Sequence, residues 1–416
     1  MTALVLGSAD LSRICRDLAW SEISAMPGLA SVLGPRLSPD GINWDTDGLA
    51  LDSLSRMQLA TAAATWCNAY DVGFEDLFLA KRCTADWASQ MSRARAAGAR
   101  HFTFSTSGST GARKHIRHRE DVLESEARVW ASLLNDGQPA ARHIKRVVVL
   151  APTHHIYGFM WGVLVPLALR VPAVDADIGC MPPLLPGDLI IAVPDQWRWL
   201  AGAAHSTPLQ HWPGNVTGVS STAPLPDATH RKLISTDLAI QTRPQAVRLL
   251  QIYGSSETAG LGWRADPAHP YTLAPGRTRT PDDGIELLLP SGATAAMAVQ
   301  DELQWVDTNS FHLVRRHDQS VQVGGHNVSP AWVTDQLLGH PSVRQATVRL
   351  STSVKPPRLK AFVVLHAPGD TAQRTALEQW VLHHLPWYAN FSSMSYGTEL
   401  PRNAMGKPSD WPDQAA

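Results

Sequence analysis

Between Phe102 and about Arg316, short apolar runs (RVVVLAP, DLIIAVP, VTGVSSTAP, LLQIYG and IELLLP) alternate with helical stretches. Runs of this kind, punctuated by Pro, Gly and Ser, are strands, and their alternation with helices predicts an α/β body. Ligands in such bodies sit at strand ends, and the unusual loops of this chain follow strands. Ahead of the body, from Ala9 to Ala96, the period is helical. LSRICRDLAW sets Leu11, Ile14, Cys15 and Leu18 on one face, and DSLSRMQLATAAATW follows a good helix start. Beyond Asp318, QSVQVGGHNVSPAWVTDQLLGHPSVRQATVRL and RLKAFVVLHA give strand, helix, strand and strand signals in a compact α+β unit. A chain of 416 residues exceeds one ordinary core. The expected organisation is a helical segment over 1–96, an α/β core over 97–317 and a lid-sized domain over 318–416, with no internal repeat.

Charge and cysteine usage narrow the partners. With 36 Lys+Arg against 37 Asp+Glu, the net charge of -1 provides no global field for nucleic acid or anionic lipid, so a small-molecule or protein partner is expected. Cys15, Cys67, Cys83 and Cys180 form no C-x-x-C pair, which speaks against a zinc site or a disulfide framework and fits a reducing cytoplasm. The N-terminus lacks the features of a signal peptide. The longest apolar run, Ile156 to Leu169, contains Pro166 and falls short of the roughly 20 residues a bilayer span needs, so it is expected to be core and not membrane.

The loop TFSTSGSTGARK, residues 103–114, gathers hydroxyl residues, glycines and cations after a strand. Its backbone N–H groups can turn inward as an anion nest, with hydroxyls as further donors and Lys114 as a point charge, so phosphate is the natural guest. A Walker A loop is excluded, because Lys114 does not follow Gly111 directly and no Ser or Thr comes after it. In QIYGSSETAG, residues 251–260, Tyr253 can stack on a nucleobase, Ser256 can donate to phosphate and Glu257 can ligate Mg²⁺ beside phosphate oxygens. Taken alone, Glu257 also reads as a carboxylate at a helix N-terminus. Further on, VRRHDQSVQVGGHNVSP carries paired arginines and a Gly-Gly turn, and LPRNAMGKPSDW sets Lys407 on a turn.

In this order the segments resemble the adenylate-forming superfamily: acyl- and aryl-CoA synthetases, peptide-synthetase adenylation domains and luciferases. TSGSTGARK is similar to that family's T-S-G-S-T-G-x-P-K phosphate loop, with Arg113 in the proline's place. The similarity implies nucleotide-binding roles for Thr106, Ser107, Gly108, Ser109, Thr110 and Gly111 and a catalytic role for Lys114. Tyr253, Gly254, Ser255, Ser256 and Glu257 resemble the aromatic-Gly-x-Thr-Glu segment, Ser256 standing for the threonine. PTHHIYGF resembles P-x-F-H-x-Y-G and puts His155 at the gating histidine of an acyl pocket that His154, Tyr157, Trp161 and Gly260 would line. GVSSTAPLP resembles the S-G-A-A-P turn, so Ser221, Thr222 and Ala223 would border adenine and carboxylate. Asp301 takes the place of the ribose-binding aspartate, although the usual T-G-D is V-Q-D here. Arg316 and Asp318 match the G-R-x-D hinge, with Arg315 where glycine is usual, and Gly324 and Gly325 would admit a pantetheine arm. Lys407 matches the lysine that contacts the reacting carboxylate, and the resemblance runs from Phe102 to Trp411.

What the resemblance implies is an α/β enzyme with a large adenylate-forming body and a small mobile α+β C-terminal domain, preceded by a short helical, carrier-protein-like segment. A carboxylate would attack the α-phosphorus of ATP and expel pyrophosphate, after which a thiol would take the acyl group. Two anions must meet in the first step; Lys407, Lys114, the loop donors and Mg²⁺ on Glu257 would offset their repulsion. The C-terminal domain would then swing about Asp318 to let the thiol enter. A Trp, His and Tyr lining suits a flat aromatic acid. HHIYGF, STAPLP, YGSSETAG and VQVGGHNVSP in a short chain most resemble the aryl-acid ligases of xanthomonadin-like aryl polyene pathways. That likeness implies 3- or 4-hydroxybenzoate transferred to the phosphopantetheine of an acyl carrier protein, with coenzyme A as the alternative acceptor. LALDSLSRMQLA resembles a carrier D-S-L segment, so Ser53 either bears a phosphopantetheine arm or belongs, with Asp52, to a helix N-cap. A non-catalytic docking module would explain Arg113, Arg315 and V-Q-D, but Lys114, Glu257, Asp301, Arg316 and Lys407 all keep suitable charge. A kinase or ATPase lacks its Walker, H-R-D and D-F-G sets here.

Overall fold

The computed structural model describes residues 5–26, 29, 33, 36–37, 42–45, 48–107, 113–203, 213–234, 247–316, 320–351, 353–354, 356–367, 370–401 and 410–412. The side chains of residues 107, 113, 141, 203, 315 and 316 also lie outside that description. Helix α1 (Ser8–Ser24) buries Leu11, Ile14, Cys15 and Leu18, the stripe its periodicity demands. Helix α2 (Ser53–Trp66) starts where the Asp52 carboxylate accepts the Ser55 N–H at 2.7 Å, so Asp52 is the cap and Ser53 the first helical residue, exposed to solvent. Helix α3 (Thr84–Ala96) leads to a two-stranded sheet of β1 (His101–Ser107) and β2 (Arg113–Arg119), and α4 (Glu120–Asn135) follows. The N-terminal helices do not carry a core of their own. Leu18, Trp66, Phe102, Trp130, Val149 and Phe159 belong to one hydrophobic cluster that reaches into the main sheet.

That sheet is built from the apolar runs. Strands β3 (Arg146–Val149), β4 (Ala173–Asp175), β5 (Asp188–Ala192), β6 (Thr217–Ser220) and β7 (Arg248–Ser255) run parallel. Every residue of β5 and β6 is buried, as parallel strands covered on both faces require. The crossovers carry the helical run α5 (Ile156–Phe159), a π-turn over Met160–Leu164 and α6 (Val165–Leu169), then α7 (Pro194–Ala203) and α8 (Asp227–Ile234). The apolar run at Ile156 is therefore core helix, and no helix among the described residues is long and apolar enough to cross a membrane. Strand β7 turns back antiparallel into β8 (Ala259–Arg264), which pairs with β9 (Tyr271–Leu273). IELLLP does not join this sheet: β10 (Arg277–Arg279), β11 (Ile285–Leu288) and β12 (Thr294–Ala296) make a three-stranded sheet of their own. Strands β13 (Asp301–Trp305) and β14 (Ser310–Arg316) return to complete the order β13-β14-β9-β8-β7-β6-β5-β3-β4.

The C-terminal region folds around a second core. A hairpin of β15 (Val321–Val323) and β16 (His326–Val328) precedes α9 (Pro330–Leu338). The sheet of β17 (Val343–Ser351), β18 (Arg358–Leu365) and β19 (Phe391–Tyr396) is joined by α10 (Thr371–His384). Val323, Val333, Leu337, Val348, Val363 and Leu377 form its cluster. The chain divides into two compact units: residues 1–105, 115–299 and 303–314 in one, and 106–114, 300–302 and 315–416 in the other. The fold is thus α/β with a large N-terminal body and a smaller α+β C-terminal domain.

Candidate active site

Loops leaving the C-terminal ends of β3, β6 and β7 carry the expected motifs, the position at which an open α/β sheet binds ligands. After β3, Gly158 of PTHHIYGF presses on the preceding loop: a Cβ there would stand 2.0 Å from the Pro152 carbonyl oxygen, so only glycine fits. His155 is exposed at the N-cap of α5, and its ring lies 3.9 Å from that of the buried His154. The Tyr157 hydroxyl faces the sheet, within 3.1 Å of the Ala192 carbonyl and 2.8 Å of the Val219 carbonyl. Burial pushes its pKa well above the ordinary phenol value, so Tyr157 acts as a neutral brace between β5 and β6. Trp161 is buried, with its ring 5.2 Å from that of Trp130 on α4.

Two carboxylates that the sequence reading passed over hold these segments. Asp17 of α1, 1% exposed, accepts the Thr153 N–H at 2.7 Å and the Thr153 hydroxyl at 2.8 Å. Its other oxygen faces Arg36 at 3.0 Å and Arg16 at 3.1 Å. Burial alone would raise the Asp17 pKa, but Arg36, Arg16 and the Thr153 donors outweigh it and hold the carboxyl below its ordinary range. Glu126 of α4, 4% exposed, accepts the Gly260 N–H and the Trp130 indole N–H, each at 2.9 Å, and its second oxygen pairs with the buried Arg277. A Cβ on Gly260 would come within 2.7 Å of Trp130 and 2.9 Å of Glu126. Gly260 is therefore seated against Trp130 and, through it, beside Trp161.

The YGSSETAG segment is a β-hairpin, with Ser255 opposite Ala259 and Glu257 in its turn; Glu257 is not at a helix N-terminus. Ser255 N–H donates to the Thr258 hydroxyl at 3.0 Å and Thr258 N–H to the Ser255 hydroxyl at 3.2 Å, closing the turn on itself. A Cβ on Gly254 would sit 1.9 Å from the Ala259 carbonyl oxygen. From β2, the His118 Nε2–H donates to the Ser256 carbonyl at 2.6 Å, and burial keeps this ring below its usual pKa. Tyr253 packs with Tyr271 and Phe311, ring centroids 5.7 Å away in each case.

After β6, the Ser221 hydroxyl donates to the Ile252 carbonyl at 2.9 Å, tying this turn to β7. Thr222 has φ +78°, a left-handed backbone that costs a β-branched residue about 1–3 kcal/mol. Its buried hydroxyl and that of Ser220 have no partner among the described residues. Strain and orphaned donors beside Ala223 and Tyr253 fit a nucleotide bound across this edge. No cluster of three or more His, Cys, Asp or Glu side chains among the described residues could hold a metal alone. A Mg²⁺ held by Glu257 together with nucleotide phosphates fits that arrangement.

In the C-terminal unit, Gly324 and Gly325 (φ +55° and +82°) form the two-residue turn of the β15–β16 hairpin. Asp301 opens β13, Thr106 lies in β1, and Lys114 is exposed on β2. Gly108, Ser109, Thr110, Gly111, Asp318 and Lys407 lie outside the described residues, as do the side chains of Ser107 and Arg316. A cleft bordered by Leu6, Leu11, Arg95, Arg100, Arg119 and Glu124 shares no residue with these motifs. Cys15, Cys67, Cys83 and Cys180 are all free thiols.

Comparison with known proteins agrees with this geometry. The chain is 36% identical over 372 residues to a 4-coumarate–CoA ligase of Halorhodospira halophila, covering 87% of this chain and 88% of that protein. A 4-coumarate–CoA ligase of Cereibacter sphaeroides is 33% identical over 98% of this chain and 97% of its own length. A 3,4-dihydroxybenzoate–[aryl-carrier protein] ligase of Bacillus anthracis is 25% identical, over 73% of this chain and 70% of its own. Among solved structures, an o-succinylbenzoate CoA synthetase of Bacillus subtilis superposes with a TM-score of 0.55 at 18% identity, over 74% of this chain and 67% of that one. No family model matches the chain.

Proposed function

The chain belongs to the adenylate-forming superfamily of acyl- and aryl-CoA ligases and is an ATP-dependent, AMP-forming acid–thiol ligase, and on that premise we propose that it joins a hydroxyaryl acid of the 4-coumarate class to coenzyme A. The observation that carries the acid is the full-length likeness to 4-coumarate–CoA ligases, and the ring pairs Trp130–Trp161 and His154–His155 supply aromatic side chains suited to such an acid. In this reading Lys407 and Lys114 bring carboxylate and α-phosphate together, and Ser221, Thr222, Ala223 and Tyr253 border the nucleotide. Asp301 holds the ribose, and Arg316 is a further nucleotide-binding residue. Mg²⁺ on Glu257 supplies charge to the phosphates. The small domain turns about Asp318 between half-reactions, and the thiol arm passes the Gly324–Gly325 turn. The cytoplasm is the proposed compartment, in keeping with four free thiols.

A second reading keeps a carrier protein as acceptor, with 3- or 4-hydroxybenzoate loaded onto an acyl carrier protein; the likeness to an aryl-carrier-protein ligase favours that acceptor, while the 4-coumarate–CoA ligase relatives do not extend to the xanthomonadin-type likeness of the sequence. The test is pyrophosphate release with 4-coumarate, cinnamate, both hydroxybenzoates and a fatty acid, followed by mass analysis of the thioester formed with coenzyme A or with a pantetheinylated carrier. Coumaroyl-CoA formed by the native chain and abolished in Lys407→Ala is the expected result. Hydroxybenzoyl carrier without any CoA thioester would move the assignment to the second reading. Pyrophosphate release with none of the aryl acids would sink both.

A further inference from the structure

We propose that the N-terminal helices form the rear support of the acid pocket, with Asp17 and Trp66 as positioning residues that fix the Pro152–His155 loop. The proposal rests on the reading of His154 and His155 as pocket residues and gives the N-terminal helices a function in substrate positioning. Two backbone groups of consecutive loop residues find their partners in these helices. The Thr153 N–H is taken by Asp17 of α1, and the His154 carbonyl accepts the Trp66 indole N–H of α2 at 2.9 Å. The next carbonyl, that of His155, is used by the Phe159 N–H at 2.8 Å to start α5. Both histidines therefore leave a backbone held from behind at Thr153 and His154 and from ahead at His155.

Asp17 is itself fixed from several sides. Arg36 bonds it and also donates to the Ala176 carbonyl at 2.9 Å, while Arg16 joins it to Asp175 at 2.7 Å, at the end of β4. Arg13 pairs with the same Asp175 at 2.7 Å and donates to the Gly162 carbonyl at 3.1 Å. Helix α1 is thereby locked to both ends of the segment that contains the histidines and Trp161. Desolvating a carboxylate is costly, and apolar side chains of the same volume commonly serve stability as well or better. What an apolar residue could not supply is a carboxylate oxygen that accepts both the N–H and the hydroxyl of Thr153, which sets both its backbone and its rotamer. Trp66 packs its ring against Phe102 and Phe159 at 5.1 and 5.4 Å, so the indole that meets His154 is itself immobilised. Such layered support is how a pocket keeps its reacting geometry.

The experiment compares native protein with Thr153→Val, Thr153→Ser, Trp66→Phe and Asp17→Asn, measuring KM for the aryl acid and for ATP separately by pyrophosphate release. Thr153→Val and Trp66→Phe should each raise the acid KM about 5- to 20-fold with the ATP KM within about twofold, the scale of one lost positioning bond. Thr153→Ser, which keeps hydroxyl and N–H, should restore native values. Asp17→Asn should lose more, and if it fails to fold, the two milder variants still decide. Native acid KM in both Thr153→Val and Trp66→Phe, or equal changes in acid and ATP KM, would overturn the proposal. A native protein that releases no pyrophosphate with any aryl acid would instead refute the functional reading on which it rests.

Discussion

Glu126→Gln isolates the electrostatic part of the contact that seats Gly260 against α4. The substitution keeps the size of the side chain and an oxygen for the Gly260 and Trp130 donors, but it removes the charge facing Arg277. Glu126 and Arg277 are each 4% exposed, so the guanidinium would stay buried without a counter-charge. Breaking a buried pair from one side costs about 3–5 kcal/mol, a large share of the roughly 5–15 kcal/mol that holds a domain together. With a urea slope near the top of its range, about 3 kcal/mol/M, the unfolding midpoint should fall by about 1–2 M. Arg277→Met in the same chain removes the stranded charge and should recover most of that loss, because a neutral packed pair is often as stable as a buried ionic one. The assay is equilibrium urea unfolding of both single variants and the double variant, followed by far-UV circular dichroism. A double variant whose loss equals the sum of the two single losses would refute the reasoning, since it would mean the two side chains do not depend on each other.

Two further outcomes follow from local geometry. Gly254→Ala forces a methyl to within 1.9 Å of the Ala259 carbonyl, so the hairpin that presents Glu257 must open, and pyrophosphate release should fall by about 10²-fold or more in a chain that still folds; a near-native rate would show that the turn is not part of the site. His326 lies stacked on Tyr388, and burial lowers its pKa from 6.5 to about 4. Between those values the unfolded chain binds a proton that the folded chain refuses, so the C-terminal unit should lose of the order of 3 kcal/mol as pH falls from 6.5 to 4 and be unaffected by this group above 6.5. His326→Phe, which keeps the stack, should flatten that slope in urea midpoints taken across pH; an unchanged slope would assign the acid sensitivity elsewhere.

The body was legible because its strands are short apolar runs with turn residues between them, α1 because its apolar spacing is regular, and α2 because Asp52 marks a helix start. Helix α10 and strand β19 were not read, since TAQRTALEQWVLHH and FSSMSY carry weak contrast between faces. IELLLP has the same apolar character as the core strands, and only tertiary packing puts it in another sheet. For the site, glycine and hydroxyl clusters marked the loops, whereas the residues that brace them did not stand out. Asp17 and Glu126 left one signal: each is an acidic residue at helical spacing within a buried stripe, Glu126 beside Leu123, Ala127 and Trp130. His118 left none, since nothing in RKHIRHR distinguishes the imidazole that reaches Ser256.

The core shared by α1–α3 and the sheet also sets an order of events during synthesis. Helix α1 leaves the ribosome well before the strands of the main sheet, yet the groups that neutralise Arg13 and Arg16 and occupy Asp17 include Asp175 and Thr153. At translation rates of about 5–20 residues per second, the roughly 150 residues between them take on the order of 8–30 s to appear. For that interval Leu11, Ile14 and Leu18 are without the strands that will bury them, so the nascent chain must remain shielded until β4 arrives. Slowing elongation after α3, or depleting the factors that bind apolar nascent segments, should harm the yield of this chain more than that of one whose first helices close on themselves.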